Sequence, residues 1–367
     1  MKTSRLILPR GSVVKKNEIN IILTIAISWT IIDFVLFLIR LGIGSVPAKY
    51  ADPEINNTKI ILLREVDVFL VSLFVGYFIV SVLRNFLQNS SFGFNLLIKT
   101  IILVFIAIAM NFIILFSYYM FIEDRTASQS VENFFHNTFR AKWLLQKMPE
   151  WIILFLLTLL AIEVNTKYSS GVFFSIMLGR YLHPKDERRI IMFVDLKNST
   201  PIAEKLGPHE YFKFIRDVIF CISAGIIEKN GRIYQYVGDE VVAWWPSSKK
   251  NAQRCVHALL EARKILNKNG EVFKRNYDIL PEYKVGLHEG LVTVGQVGIM
   301  KKDLVMSGDT MNTGARIRSA CTDTNQKVVA SKDIIDMMQM KEWQTENLGF
   351  FDLKGKNHSI ELFALKI

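Results

Sequence analysis

The sequence predicts a two-part chain, an α-helical membrane bundle of four spans followed by an α+β domain. Three observations carry this. Half of the 367 residues are hydrophobic, and they crowd before about Leu178. After that point, short strand-like apolar runs alternate with helical stretches. Two of those runs end in an acid: residues 190–194 deliver Asp195, and residues 232–237 lead through Gly238 to Asp239.

Residues 1–20 form a basic lead-in, with Lys2, Arg5, Arg10, Lys15 and Lys16. The apolar run behind it is too long for the core of a signal peptide and lacks a small-residue cleavage site. The membrane part covers residues 21–164. Spans are expected over residues 21–39, 66–83, 100–120 and 151–164, since a helix of about 20 residues crosses a hydrocarbon core of roughly 30 Å. The fourth is short and is interrupted by Glu163, so an interfacial helix is its alternative. Trp151 and Tyr168 at its two ends favour a span. An even number of crossings places both chain ends on one side, expected to be cytoplasmic, in a multi-pass protein of the cell (inner or plasma) membrane. Asp33 lies mid-span in the first helix; such an acid is either functional or a hydrogen-bonded packing contact. Asn56, Asn57 and Thr58 form a glycosylation triplet by pattern alone.

The net charge is +11, from 45 basic and 34 acidic residues, and mean hydropathy is +0.25. With spans present, an anionic membrane surface explains the charge, and no nucleic-acid partner is expected. Cys221, Cys255 and Cys321 match no zinc spacing and read as reduced cytosolic thiols. A transporter would rest on Asp33 alone, and no span is broken by paired Gly or Pro in the manner of discontinuous transporter helices.

Residues 165–189 are a linker, broken by Pro184. The second domain is expected over residues 190–367. A strand ends at Asp195, and a helical region follows over residues 200–228. A hairpin with Asp239 at its tip covers residues 232–245, then a helix residues 251–267. Residues 283–290 and 291–297 read as a strand pair, and 308–321 as a helix. A strand at 327–330, a short helix near 333–340 and two final strands complete the domain. The leading order β-α-β-β-α-β is ferredoxin-like. Two carboxylates at neighbouring strand ends suit hard divalent cations.

Four pieces in this order carry a family resemblance: Phe193-Val194-Asp195, Gly238-Asp239, the run from Gly308 to Arg316, and Leu353-Lys354-Gly355-Lys356. Together they resemble the catalytic domain of class III nucleotidyl cyclases, over roughly residues 189–367. The resemblance implies an enzyme that cyclises ATP to cyclic AMP and pyrophosphate. It implies two ions, Mg²⁺ or Mn²⁺, at Asp195 and Asp239, with Leu196 beside them in the metal set. Lys197, Asn198, Ser199 and Thr200 form a turn whose backbone N–H groups suit phosphate oxygens. Asn312 is expected to orient the ribose, Arg316 to stabilise charge on the α-phosphate, and Lys354 to bind the triphosphate end. Asn312 and Arg316, four residues apart, share one helix face.

Two positions depart from the family's pattern. Adenylyl cyclases carry Lys four residues before the second metal Asp, where this chain has Gln235. They carry Asp or Thr three residues before the helix-opening Gly, where it has Val305. An amide serves either purine edge, so GTP stays open beside ATP. Gln235 is expected to face the base by alternation with Tyr234 and Tyr236. The family builds its site across a dimer, so a homodimer is implied. A non-catalytic nucleotide receptor is the rival of another class; it predicts loss of Asp195, Asp239, Asn312 or Arg316, and all four are present.

Overall fold

The computed structural model describes residues 6, 12–42, 57–83, 92–121, 123–138, 141–167, 179–181, 183–299, 302–338, 344–353 and 358–366. The chain divides into two compact units, with Lys15–Val164 as one and Asn165–Ile367 in the other.

The first unit is helical: α1 (Ser12–Gly42), α2 (Asn57–Tyr77) running into a π-helical turn (Phe78–Leu83), α3 (Phe92–Phe121), a short α4 (Ala127–Asn133), a second π-helical turn (Phe134–Thr138) and α5 (Ala141–Lys167). Three stretches among the described residues are long and apolar enough to cross a membrane: Glu18–Ile39, Ile61–Leu83 and Leu96–Phe121. The expected fourth falls short, because the apolar part of α5 is only Pro149–Ile162. That part nevertheless belongs to the same core. Phe155 and Leu159 pack with Ile25 and Trp29 of α1, Val75 of α2 and Leu103 of α3. Trp29 donates its indole N–H to Thr158 Oγ1 at 2.9 Å, so its polar atom is satisfied where water is scarce.

Asp33 finds its partner in Arg64 of α2, an ion pair between the two helices. Arg64 also donates to Glu65 at 2.7 Å, and its guanidinium lies 4.8 Å from the Phe37 ring centre. The second candidate span starts at Ile61 rather than Val66 and so takes in Arg64 and Glu65.

The second unit contains β1 (Lys185–Leu196), α6 (Ser199–Glu228), β2 (Arg232–Val237), β3 (Glu240–Pro246), α7 (Lys249–Lys268), α8 (Gly270–Tyr277), β4 (Tyr283–Val297), β5 (Asp303–Ser307), α9 (Asp309–Asp323), β6 (Val328–Ser331), α10 (Lys332–Met337), β7 (Gln344–Phe351) and β8 (Ile360–Lys366). The sheet order is β2-β3-β1-β4-β6-β8-β7, with β5 paired to β4. Its first four strands are antiparallel neighbours with α6 and α7 between them in sequence, the ferredoxin-like arrangement.

Alternation along β1 explains the layers. Ile190, Met192, Val194 and Leu196 point into the large core shared with α6 and α7. Ile191 and Phe193 point to the opposite face and pack with Val242, Trp244, Met306 and residues of α9. Asp195 has the parity of this second face.

The expected break near Gly290 does not occur; β4 runs unbroken for 15 residues. Its glycines serve close approach instead of turning. A Cβ on Gly286 would lie 2.4 Å from the backbone N of Arg318, and one on Gly290 would lie 2.5 Å from Thr310 Oγ1. They let α9 lie directly on the sheet. The sequence reading also omitted α8 and β5; the entry strand expected after Pro184 and the strand ending at Asp195 are one continuous β1. The polar start of β1 pairs with β4 from Lys185 onward.

Candidate active site

Asp195 stands at the end of β1, paired across the sheet with Glu240, the first residue of β3. Between β2 and β3 the chain turns in two residues, Gly238 and Asp239. Gly238 has φ 61, a left-handed conformation that favours glycine in so tight a hairpin. The register thus brings Asp195, Asp239 and Glu240 to one sheet end. Burial pushes the Asp195 carboxyl above its ordinary range; Arg318 pulls it back in part, and the charge of Asp239 pushes it further up. Glu240 is raised too, first by burial, with Arg318 opposing and both aspartates adding.

Arg318 of α9 joins the strands. Its Nη1 donates to Asp195 Oδ2 at 3.1 Å, and its Nη2 is 2.9 Å from Glu240 Oε2. Tyr211 of α6 completes the group. Burial, then the charge of Asp239, raises the pKa of its hydroxyl, with Ser199 opposing. Arg318, Glu240 and Tyr211 were not found by sequence reading. Glu240 was legible as the neighbour of Asp239, once strand pairing is fixed. Arg318 looked like one more helix arginine.

Among the described residues, no three His, Cys, Asp or Glu side chains converge as a metal cage. The donor chemistry still fits a divalent cation. Asp239 Oδ2 is buried without a hydrogen-bond partner, and an orphaned carboxylate oxygen beside a second carboxylate is a hard-cation ligand in waiting. The Leu196 side chain is buried in the core, so only its backbone faces this site.

After Leu196 the chain turns into α6. Asn198 takes a left-handed conformation, φ 59, at the helix N-cap and makes no side-chain cap. Lys197 is tied by its backbone N–H to the Glu282 carbonyl at 2.8 Å and by its ammonium to the Glu282 carboxylate at 3.2 Å. Ser199 is half-buried and Thr200 is exposed. A cavity of about 350 Å³ flanks this turn, lined by Lys197, Asn198, Lys205 and Leu280 among others, and includes neither aspartate.

In α9, Thr313, Gly314, Ile317 and Cys321 are buried. Asn312 and Ser319 are exposed and Arg316 is half-buried, so the three form an outward stripe at i, i+4 and i+7. It is therefore Arg318, and not Arg316, that reaches Asp195 within the chain.

At the expected base-reading positions the alternation is broken. A bulge between Ile233 and Gln235 puts Tyr234 and Gln235 on one face. Tyr234 accepts the Met306 N–H at 3.0 Å, while Tyr236 turns to the other face, 3.1 Å from Ser223 Oγ. Gln235 is exposed opposite Val242. Leu304 and Met306 pack into the cluster around Val242, so alternation turns Val305 to the other side of β5. Gln235 and Val305 each adjoin one member of the Tyr234–Met306 hydrogen bond between β2 and β5. Lys354 lies outside the described residues.

Gly286→Ala should test how tightly α9 is seated. The new Cβ meets backbone that cannot swing away, so a loss of about 1–3 kcal/mol is expected. It would be read as a fall of several degrees in the melting temperature of this unit.

Residues 183–366 match the family model for the adenylate and guanylate cyclase catalytic domain. Adenylate cyclase 2 of Rhizobium meliloti is 28% identical over 209 residues, which cover 56% of this chain and 57% of that one. A receptor-type guanylate cyclase of Caenorhabditis elegans is 29% identical over 190 residues, covering 49% of this chain and 18% of that one. The chain thus spans less than two thirds of the length of either relative. A bacterial light-regulated adenylyl cyclase of known structure shares the fold, with a TM-score of 0.53 at 20% identity, over 60% of this chain and 65% of that one. Strand-end acids, sheet order and family match agree, and the chain belongs to the class III nucleotidyl cyclases, the family of the adenylate and guanylate cyclase catalytic domain.

Proposed function

We propose that this chain is a membrane-anchored adenylate cyclase that converts ATP to 3′,5′-cyclic AMP and pyrophosphate in cyclic-nucleotide signalling. The observation that carries the reading is the pair Asp195 and Asp239, set at adjacent strand ends with one carboxylate oxygen unpartnered. In the reaction the ribose 3′-oxygen bonds to the α-phosphorus, losing its proton, as the bond to the departing pyrophosphate breaks. Asp195 and Asp239, with the Leu196 backbone beside them, would hold two divalent ions, Mg²⁺ or Mn²⁺, which would lower the 3′-hydroxyl pKa and neutralise triphosphate charge. The protein's own part is positioning and electrostatics. Backbone N–H groups of Lys197, Asn198, Ser199 and Thr200 hold phosphate oxygens, and Lys354 takes the triphosphate end. Asn312 fixes the ribose, and Arg316 stabilises negative charge on the α-phosphate.

The outward stripe of Asn312 and Arg316 supports a homodimer. One subunit's carboxylates then meet the other's Asn312 and Arg316, and two-fold symmetry makes two equivalent sites. In this reading residues 1–20 are a cytoplasmic lead-in, 21–164 a four-span membrane domain and 165–184 a linker, and the cytoplasmic catalytic domain begins with β1 at Lys185. The shared core of α5 with the three long helices supports the fourth crossing.

The base contact falls to Gln235. An amide presents either a donor or an acceptor, so discrimination between ATP and GTP is expected to be modest, with ATP preferred. Guanylate cyclase is the second reading, favoured by the same residue. The test is turnover of the purified protein with Mn²⁺ and each nucleotide separately. Gln235→Lys should keep or improve ATP turnover, and Gln235→Glu should shift the ratio of kcat/KM values toward GTP by about tenfold or more, the scale of one polar contact. A ratio unchanged across the three proteins would show that Gln235 does not touch the base. Absence of any cyclic product from either nucleotide would refute the enzyme reading.

A further inference from the structure

Arg318 occupies an unusual place. Asp195 and Glu240 are direct cross-strand partners, where two like charges repel, and Asp239 adjoins both. The Arg318 fork spans the first two, 3.1 Å from Asp195 Oδ2 and 2.9 Å from Glu240 Oε2. A planar guanidinium bridges two carboxylates in a way that no ammonium reproduces. The backbone beneath it is seated against Gly286, and only 29% of its side chain is exposed. Three carboxylates and one guanidinium leave the group with two net negative charges when all are ionised.

We propose that Arg318 is a positioning residue that restrains cation binding at this site: it holds Asp195 Oδ2 itself and removes one unit of the charge that attracts a cation. This rests on the reading that Asp195 and Asp239 take divalent ions. With the charge reduced, the carboxylates alone bind a cation modestly, and the phosphates of the bound nucleotide supply the remaining negative charge. Ion loading thereby becomes coupled to substrate.

The experiment measures Mn²⁺ binding to the full-length protein in detergent without nucleotide, from the free-ion electron paramagnetic resonance signal. Arg318→Met should tighten Mn²⁺ binding about tenfold, since a charge is removed a few ångströms from the ion in a partly desolvated site, while turnover falls because Asp195 is released. Arg318→Lys should bind Mn²⁺ within about threefold of wild type, since the charge is kept, yet also lose turnover, since the fork is lost. Arg318→Gln, which removes the charge but keeps a donor, carries the same expectation as the methionine variant if that variant does not fold. A residue with a merely structural role would lower stability without tightening Mn²⁺ binding. Unchanged or weaker binding in folded Arg318→Met or Arg318→Gln would overturn the proposal. The control is Asp239→Ala. If it binds Mn²⁺ as well as wild type does, the two-carboxylate reading itself fails, an outcome distinct from failure of the Arg318 proposal alone.

Discussion

Asp239→Ala should reduce turnover by at least about 10³-fold, the equivalent of about 4 kcal/mol of transition-state stabilisation. Asp195→Ala should do the same. Neither change should unfold the domain. The Asp239 side chain is half-buried on a two-residue turn, and its Oδ2 makes no hydrogen bond that would be lost. Burial holds the Asp195 carboxyl above its ordinary range. A carboxyl raised in the folded state relative to the unfolded one is a group whose ionised form folding penalises, so its removal relieves that penalty near neutral pH. Arg318 keeps Glu240 as a partner when Asp195 is gone. Circular dichroism and melting temperature should therefore stay near wild type while cyclic-nucleotide production is lost. Near-normal turnover in either variant would remove the carboxylates from the mechanism.

The parts of this site that sequence made legible are those that local pattern alone determines. Asp195 ends an apolar run and Asp239 follows the glycine of a tight hairpin, so each could be placed without knowing the sheet. Gly308 opening the helix that carries Asn312 and Arg316 was similarly local. What was missed depends on register and close approach. Glu240 joins the site only because β1 and β3 pair it with Asp195. Arg318 reaches Asp195 only because Gly286 lets α9 lie on the strand. The same glycines made one 15-residue strand look like two, since a glycine in a strand signals a turn and a close packing partner alike. Gln235 and Val305 were matched by position in the sequence. A one-residue bulge at Tyr234 breaks the alternation on which the placing of Gln235 relied, and only the paired strands reveal it. In the helical unit, Asp33 announced itself as an intramembrane acid, but its partner Arg64 sat beyond the expected start of the second span.

Two individually inactive variants should recover activity when combined. Asp195→Ala removes a carboxylate from one half-site, and Arg316→Ala removes the transition-state arginine from the other. In a homodimer whose sites are shared across the two-fold axis, a mixed dimer holds one site with both defects and one with neither. Random association at equal amounts makes half of the dimers mixed, each with one working site of two, so about a quarter of wild-type turnover should return. The geometry motivates this directly, because α9 presents Arg318 to its own Asp195 while Asn312 and Arg316 lie along the outward stripe. Co-expression with two different affinity tags, followed by sequential purification through both, isolates the mixed dimers and gives their turnover without correction for the parents. Tandem-purified mixed dimers with no activity would place each complete site within a single subunit. In that case Arg316 would have to reach its own Asp195 and Asp239 by a rearrangement of α9.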